Sequence, residues 1–161
     1  MANSLMRGIK AAIKARMVAV VPGLVAATIH PRRRNFGGLN EAAFEALFCV
    51  TATGKLNGWE IEHESGSSTW LATNHSWDRR DTIVLQGYYG VDDANDSENA
   101  FSMLVEGVIE ALNRDQALGG AVGVRTHGTA QVRQYGAAMF GGRLCHYAEI
   151  AISIAWANQI D

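Results

Sequence analysis

Four of the five histidines and both cysteines are candidate metal ligands: Cys49, His63, His75, His127, Cys145 and His146. Zinc sites usually take closely spaced ligand pairs, such as Cys-x-x-Cys or His-x-x-x-His, and these six residues contain no such pair. We therefore predict no metal site and no cofactor. We expect both cysteines to be small buried thiols rather than a disulfide, and His146 to be a hydrogen-bonded core residue.

One short run, His75-Ser76-Trp77-Asp78, contains residue types found in hydrolases. Neighbouring residues in a strand point to opposite faces, so these side chains cannot form a relay with one another. The chain also has no phosphate-binding loop ending in Lys-Ser or Lys-Thr, no Gly-x-Ser-x-Gly elbow and no dinucleotide fingerprint. We predict no catalytic residue and no enzymatic activity, with a small metal-dependent or hydrolytic enzyme as the remote alternative.

The segment Arg80–Leu112 predicts a strand and a helix on which the other elements pack. Asp81–Tyr89 is rich in β-branched and aromatic residues, which favours a strand buried on both faces. The polar turn that follows supplies a helix start, with Asp96 or Ser97 as the N-cap. The helix then has one apolar stripe, formed by Phe101, Leu104, Val105, Val108, Ile109 and Leu112.

This stripe makes a prediction about the core. We expect Leu104, Val108 and Ile152 to be buried between helix and sheet. Replacing Leu104 with Ala should then cost about 2–5 kcal/mol of stability. Glu110 lies on the opposite face of the helix, and its replacement should change stability by no more than about 0.5 kcal/mol.

The first half of the chain predicts a helix followed by short strands. Ser4 is a candidate N-cap for a helix that ends at Pro22-Gly23, and Leu24–His30 has the character of a short strand. Phe44–Thr53 fits either a helix or a strand locally. We choose the strand, because a Gly-containing loop and a further alternating run follow it. The polar segment Glu64–Ser68 predicts a mobile connection.

The C-terminal third predicts a β-hairpin. Nearly every even position in Leu144–Trp156 is apolar, which is the period of a half-buried strand. Gly141-Gly142 can adopt the positive φ angles of a tight turn, so Gln131–Phe140 should pair back along this strand and place Tyr135 beside Ala148. Together these elements predict one α+β domain over residues 1–161, with a largely antiparallel sheet, two main helices packed on it, long loops and this hairpin.

Charge is unevenly distributed along the chain. Met1–Arg34 has seven basic residues and no acid, which leaves seven basic and 16 acidic residues, a net charge of −9, for the remainder. This asymmetry suits a protein that binds nucleic acid, a membrane or an acidic protein surface, and equally one with an ordinary basic helix face and an exposed loop. No segment has the roughly 18 apolar residues of a membrane span, so we expect a soluble cytoplasmic protein.

Two charged loops are candidate contact sites. Arg32, Arg33 and Arg34 are costly to bury without partners, so we expect them to project from the fold towards another subunit or another protein. The candidate partners form a cluster of acids on a different loop: Asp92, Asp93, Asp96 and Glu98. The alternative is a solvated loop that has no partner.

Several motifs follow one another in a defined order: Leu56-Asn57-Gly58-Trp59-Glu60-Ile61, His75-Ser76-Trp77, Gln86-Gly87-Tyr88-Tyr89-Gly90-Val91-Asp92-Asp93, Ser97-Glu98-Asn99-Ala100-Phe101 with Leu104-Val105-Glu106, Leu118-Gly119-Gly120, and Leu144-Cys145-His146-Tyr147-Ala148. In this order and spacing they resemble the tail terminator, or tail completion, proteins of tailed phages and phage-like gene transfer agents. The resemblance extends from about Arg7 to Trp156.

The resemblance implies a small α+β subunit that forms a homo-oligomeric ring, usually a hexamer, on the head-proximal end of the tail tube. Such a ring stops tube growth and offers a docking surface for the head connector. The implied partners are other copies of the chain, the tail tube protein and the head–tail connector proteins. No membrane or sequence-specific nucleic acid is implied, although DNA can pass through the ring.

The implied location is the neck of the virion, after synthesis in the host cytoplasm. A head-side connector or adaptor protein of the same neck is the nearest alternative, because such proteins are also small ring-forming subunits with basic segments.

Overall fold

The structure, a computed structural model, describes residues 2–32, 41–71, 76–118 and 124–159. The helices are α1 (Ala2–Val20), α2 (Glu41–Phe48) and α3 (Ser97–Arg114). The strands are β1 (Ile29–His30), β2 (Cys49–Val50), β3 (Lys55–Leu71), β4 (Ser76–Gly90), β5 (Val124–Phe140) and β6 (Arg143–Gln159). The sheet has the order β1-β3-β4-β6-β5, and β2 pairs with the start of β3. Every pairing except β1–β3 is antiparallel, which confirms the predicted α+β class.

The central strand and helix form as predicted. Ile83, Val84 and Leu85 of β4 are at most 4% exposed, so consecutive residues are covered on both faces of the sheet. On one face, α3 packs Phe101 and Val108 into the main hydrophobic core. This packing follows from the sequence pattern. Every second residue of the strand faces α3, and the apolar residues of α3 recur every three or four positions and so lie on the side that faces the sheet.

Two of the three predicted core residues are fully buried. Val108 and Ile152 are 0% and 1% exposed within the main core. Leu104 is only partly buried, so this part of the prediction is wrong in degree. It lies towards the turn after α1, where a Cβ built on Gly23 would be 3.8 Å from Leu104 Cδ2. Because the Leu104 side chain keeps contact with solvent, Leu104→Ala should cost less stability than the range of about 2–5 kcal/mol predicted for a fully buried leucine.

The helix α1 covers the same face of the sheet as α3. Its residues Ile9, Ile13 and Met17 are at most 1% exposed and belong to the main core. The helix ends at Val20, just before the predicted Pro-Gly stop. It begins at Ala2, so Ser4 lies inside the helix and is not its N-cap. The strand predicted after it is also shorter, because residues 26–28 form a turn of 3₁₀ helix and only β1 is extended.

The strand predicted over Phe44–Thr53 is wrong, because this region forms the end of α2 and the two-residue strand β2. Phe44 and Phe48 are both 0% exposed and contact Tyr88 of β4. Residues four apart lie on one face of a helix, so both rings pack on the sheet together. Tyr88 alternates with the β4 residues of the main core, which places α2 and its small core on the opposite face.

The segment Glu64–Ser68 continues β3, so the prediction of a mobile connection is wrong. Ser65, Gly66 and Ser67 pair with consecutive residues of β4 after a register shift at Glu64. The sequence of this segment has little tendency to form a strand, since its residues are small and polar. The hydrogen bonds of the β3–β4 ladder therefore hold it in an extended conformation.

The C-terminal hairpin is confirmed in position and register. Gly141 and Gly142 form the turn with φ angles of 55° and 80°. Tyr135 lies opposite Ala148, as the alternation predicted. A Cβ atom on Gly141 would collide with Phe44, so the tip of the hairpin packs closely against α2.

Candidate functional site

The predicted acidic cluster forms an exposed loop between β4 and α3. Asp92, Asp93, Asp96 and Glu98 are all exposed. The loop closes on itself, because the Asp92 carboxylate accepts a hydrogen bond of 2.6 Å from the Asn95 amide. Asp96 takes the N-cap position in a left-handed conformation, with φ at 53°. Its carboxylate accepts from the Asn99 amide at 2.9 and 3.0 Å, so local hydrogen bonds hold the Asp92 and Asp96 carboxylates in place.

A buried hydrogen-bonded pair anchors this loop to the sheet. Ser97 is 3% exposed, and its Oγ accepts a hydrogen bond of 2.8 Å from the backbone N–H of Asp92. The same Oγ lies 2.8 Å from Nε2 of His146 on β6. His146 is 8% exposed and stacks on Phe101, which confirms it as a hydrogen-bonded core residue. The acidic loop therefore has a rigid base.

The structure does not pair these acids with Arg32, the one arginine of the predicted set that it describes. Arg32 is exposed, whereas Arg33 and Arg34 lie outside the described residues. Within the described part of the chain, Arg32 forms no ion pair, and neither do the four acids of the loop. Arg32 and the four acids are therefore exposed and without an ion pair to any residue that the structure describes.

The basic residues of the N-terminal helix divide into two groups. Arg16 faces the protein, where its Nε donates to the carbonyl oxygen of Ala111 at 3.3 Å and lies 3.9 Å from the Asp115 carboxylate. Arg7, Lys10 and Lys14 recur every three or four residues and form no ion pair with any residue that the structure describes. They give α1 a positive outer face.

The sequence reasoning missed a polar row on the face of the sheet opposite α1 and α3. Glu60, Gln86, Glu149 and Gln134 lie side by side on β3, β4, β6 and β5. Glu60 is only 1% exposed, and its carboxylate accepts a hydrogen bond of 3.1 Å from the Tyr88 hydroxyl. The alternation of Glu60, Glu62 and Glu64 along β3 is the one signal that could have indicated this row.

An arginine from the outer strand crosses this polar face. Arg133 of β5 donates to Glu64 of β3 at 2.6 Å and lies 3.7 Å from the Glu149 carboxylate. The hydrogen bond from Arg133 lowers the pKa of Glu64 below its ordinary value. The pair joins two strands that are separated in the sheet by β4 and β6.

A second charged cluster lies among the core residues. Asp81 is 1% exposed, and its carboxylate accepts hydrogen bonds from Trp156 Nε1 at 2.8 Å and from Arg79 Nε at 3.0 Å. His63 Nε2 lies 2.7 Å from the same carboxylate. A Cβ atom on Gly66 would collide with Asp81, so glycine leaves the space that the carboxylate occupies. The hydrogen bonds and ion pairs of this cluster connect β3, β4 and β6 through their side chains.

The candidate metal ligands that the structure describes are dispersed. His63 contacts Asp81, His146 contacts Ser97, His127 is exposed on β5, and His75 lies outside the described residues. Both cysteines are free thiols, and burial raises the pKa of Cys145 to about 11. Among the residues described, no three histidine, cysteine or acidic side chains are grouped so that they could hold a metal ion.

No protein-family model matches this chain, and a search of curated proteins finds no significant match. None of the helices in the described ranges is both long enough and apolar enough to cross a bilayer.

Proposed function

We propose that the chain is a structural subunit of the neck of a phage or gene-transfer-agent tail, where it forms a ring on the head-proximal end of the tail tube. In this role it terminates tube growth and provides the docking surface for the head connector. The motif resemblance suggests the role. The observation that carries it is the rigidly based acidic loop, whose exposed carboxylates have no ion-pair partner within the described part of the monomer.

The positive surfaces provide the complement to that loop. Arg32 and the outer face of α1 are basic and likewise form no ion pairs with described residues. Surfaces of opposite sign in different parts of one subunit favour heterologous contacts, in which one surface of each copy meets a different surface of the next. A closed ring is the simplest assembly that satisfies every such contact.

The oligomeric state is the first test of this function. Light scattering at micromolar concentration should give a mass several times 17.4 kDa, most consistent with six copies. The measurement should be repeated with isolated tail tubes, since the ring can require the tube as a template. A protein that stays monomeric in both conditions contradicts the proposal.

Electron microscopy separates the terminator from the head-side connector. Without this protein, a terminator defect should give tails of uncontrolled length that do not join heads. A connector defect should instead give tails of normal length that remain separate from heads. Normal virions in the absence of the protein would exclude both roles.

The arginine loop gives a more specific prediction. Replacing Arg32, Arg33 and Arg34 together with Ser should leave the fold intact but weaken ring formation or tube capping, because the charge that attracts acidic partners is lost. Added salt should weaken the wild-type contact in the same direction. Assembly is measured by light scattering and folding by circular dichroism.

The matched control is Arg114→Ser, because Arg114 is exposed and, among the described residues, forms its ion pair with Glu110 of its own helix. This control should assemble as the wild type does. If the triple variant also forms rings and yields tails of normal length joined to heads, the loop has no role in assembly.

A further inference from the structure

The face of the sheet opposite α1 and α3 has a groove along β6. Its floor consists of small side chains, because Ala151, Ser153 and Ala155 alternate with the buried isoleucines that β6 contributes to the main core. Larger side chains flank this floor on the two neighbouring strands: Arg80 and Thr82 on β4, and Arg125, His127 and Gln131 on β5. We call this feature the β6 groove.

An ion pair closes one end of the β6 groove. Arg133 and Glu64 form this pair, which reaches from β5 to β3 across β6 and β4. Beside it lies a recess of about 240 Å³ whose polar lining includes Thr82, Ser153 and His127. Pockets for drug-sized ligands usually have volumes of about 300–1,000 Å³, so this recess suits a smaller chemical group.

A β-bulge shapes this recess. The register of β5 with β6 shifts after His127, and the bulge contains Gly128 with φ at 80°. Its backbone is held from the other side of the sheet, because Ala130 is 6% exposed and its N–H donates to Asn113 Oδ1 at 2.8 Å. Bulges often occur next to functional sites, where they redirect side chains. The recess therefore has a fixed wall on the β5 side.

Two arginines stand on either side of the groove at its other end. Arg80 of β4 and Arg125 of β5 both lie opposite Ala155 of β6, so the three side chains form one row on the same face of the sheet. Neighbouring strands are about 4.8 Å apart, which places the two arginine Cα atoms roughly 10 Å from each other. The methyl group of Ala155 is too short to fill the space between the two guanidinium groups.

The charges of these two arginines are not neutralised within the described part of the chain. Arg80 and Arg125 are exposed and form no ion pair there, although Asp78 lies on the same face two residues before Arg80. Arg133 differs from them, because two glutamates pair with it. Like charges in one row of a sheet repel each other. An anion between Arg80 and Arg125 would replace this repulsion with two attractions.

The next row of the groove adds uncharged hydrogen-bond donors. Thr82 and His127 both lie opposite Ser153, so two hydroxyl groups and one imidazole stand side by side, about 7 Å along the strands from the arginines. Guanidinium groups bind phosphate through parallel N–H···O bonds, and hydroxyl and imidazole groups each add a donor. Together these groups offer more donors than the roughly four lone-pair sites of a carboxylate can accept. A phosphate group has more acceptor oxygens and matches this set better.

We propose that the β6 groove binds a phosphate group. Arg80 and Arg125 hold it from the two sides above Ala155, and the hydroxyl groups of Thr82 and Ser153 donate to it from the next row. The phosphate is either a free anion or part of a nucleic-acid strand, since both present the same kind of oxygen atoms. All of these residues belong to one copy of the chain, so the site does not depend on the proposed ring.

Calorimetric titration tests this site with two probes, inorganic phosphate and a short single strand of oligothymidylate, at an ionic strength held constant with sodium chloride. Arg125→Gln removes one guanidinium group and should weaken binding about tenfold or more, because hydrogen bonds to charged groups are among the strongest. Arg80→Gln should have a similar effect. Ala155→Leu keeps both arginines but fills the space between them, so it should also weaken binding.

The matched control is Arg7→Gln, which removes the same charge from α1 on the other face of the sheet. Its affinity for either probe should stay within about twofold of the wild-type value, because salt screens a charge at that distance. Circular dichroism checks that each variant is folded.

The two probes distinguish the sources of the phosphate. Binding of inorganic phosphate that is lost in Arg125→Gln and Ala155→Leu supports a site for a small anion. Binding of the oligonucleotide alone, with the same losses, supports a site for a phosphodiester within a strand. If neither probe binds, or if Arg7→Gln weakens binding as much as Arg125→Gln does, the proposal is overturned.

A measurement on the wild-type protein covers the case in which the variants do not fold. Amide resonances are followed by NMR while the probe is added. Shifts concentrated at Arg80, Arg125 and Ser153 support the site, whereas shifts confined to other parts of the chain overturn it.

Discussion

Replacing Asp81 with Asn should destabilise the fold by about 3–5 kcal/mol, the usual cost of breaking a buried ion pair by changing one partner. The carboxylate is 1% exposed and accepts hydrogen bonds from Trp156 and Arg79, with His63 in contact. An amide removes the negative charge beside Arg79 and turns one acceptor into a donor. Denaturant unfolding measures the loss.

The exposed acid Asp93 provides a matched control, since Asp93→Asn makes the same chemical change on the acidic loop. This variant should lie within about 0.5 kcal/mol of the wild type. If the two variants lose similar amounts of stability, the Asp81 cluster does not contribute as the geometry indicates.

The Asp81 cluster should also make the stability of the protein depend on pH. Burial acts to raise the pKa of Asp81, but hydrogen bonds from Trp156, Arg79 and His63, together with the Arg79 charge, outweigh it and leave the pKa below its ordinary value. A lowered pKa in the folded state means that the carboxylate stabilises the fold fully above the pKa of about 3.9 in an unfolded chain. This stabilisation is lost as the pH falls through the folded-state pKa. The difference in free energy of unfolding between the wild type and Asp81→Asn should therefore become smaller below about pH 4.

Replacing Ile152 with Ala should cost about 2–5 kcal/mol, because the change removes buried methyl groups and leaves a cavity. Ile152 is 1% exposed, pairs with Ile83 across the sheet and lies in the main core beneath the helices. Leu104→Ala should cost clearly less, since Leu104 is only partly buried. Thermal or denaturant unfolding of the two variants, with Glu110→Ala as the exposed control, gives the comparison.

The order of these three costs is the informative result. Ile152→Ala should be the most harmful, Leu104→Ala intermediate, and Glu110→Ala within about 0.5 kcal/mol of the wild type. A Leu104→Ala variant as unstable as Ile152→Ala would mean that α3 lies deeper against its neighbours than the structure places it.

The sequence by itself determined the central strand, the helix after it and the C-terminal hairpin. In each of these, the signal comes from neighbours in the chain. The stripe that contains Val108, the alternation along β6 and the glycines at Gly141 and Gly142 all encode their conformation locally. The acidic loop was equally predictable as an exposed turn, because short polar residues favour such a conformation.

Only the tertiary structure decided α2, the second half of β3 and the Asp81 cluster. Phe44 and Phe48 become one face of a helix because Tyr88, far along the chain, provides the surface on which they pack. The polar residues after His63 are extended because β4 bonds to them, and Asp81 is buried because partners on other strands donate to it. These conformations depend on groups that are distant in sequence, and the free energy that selects them exists only once the strands have been brought together.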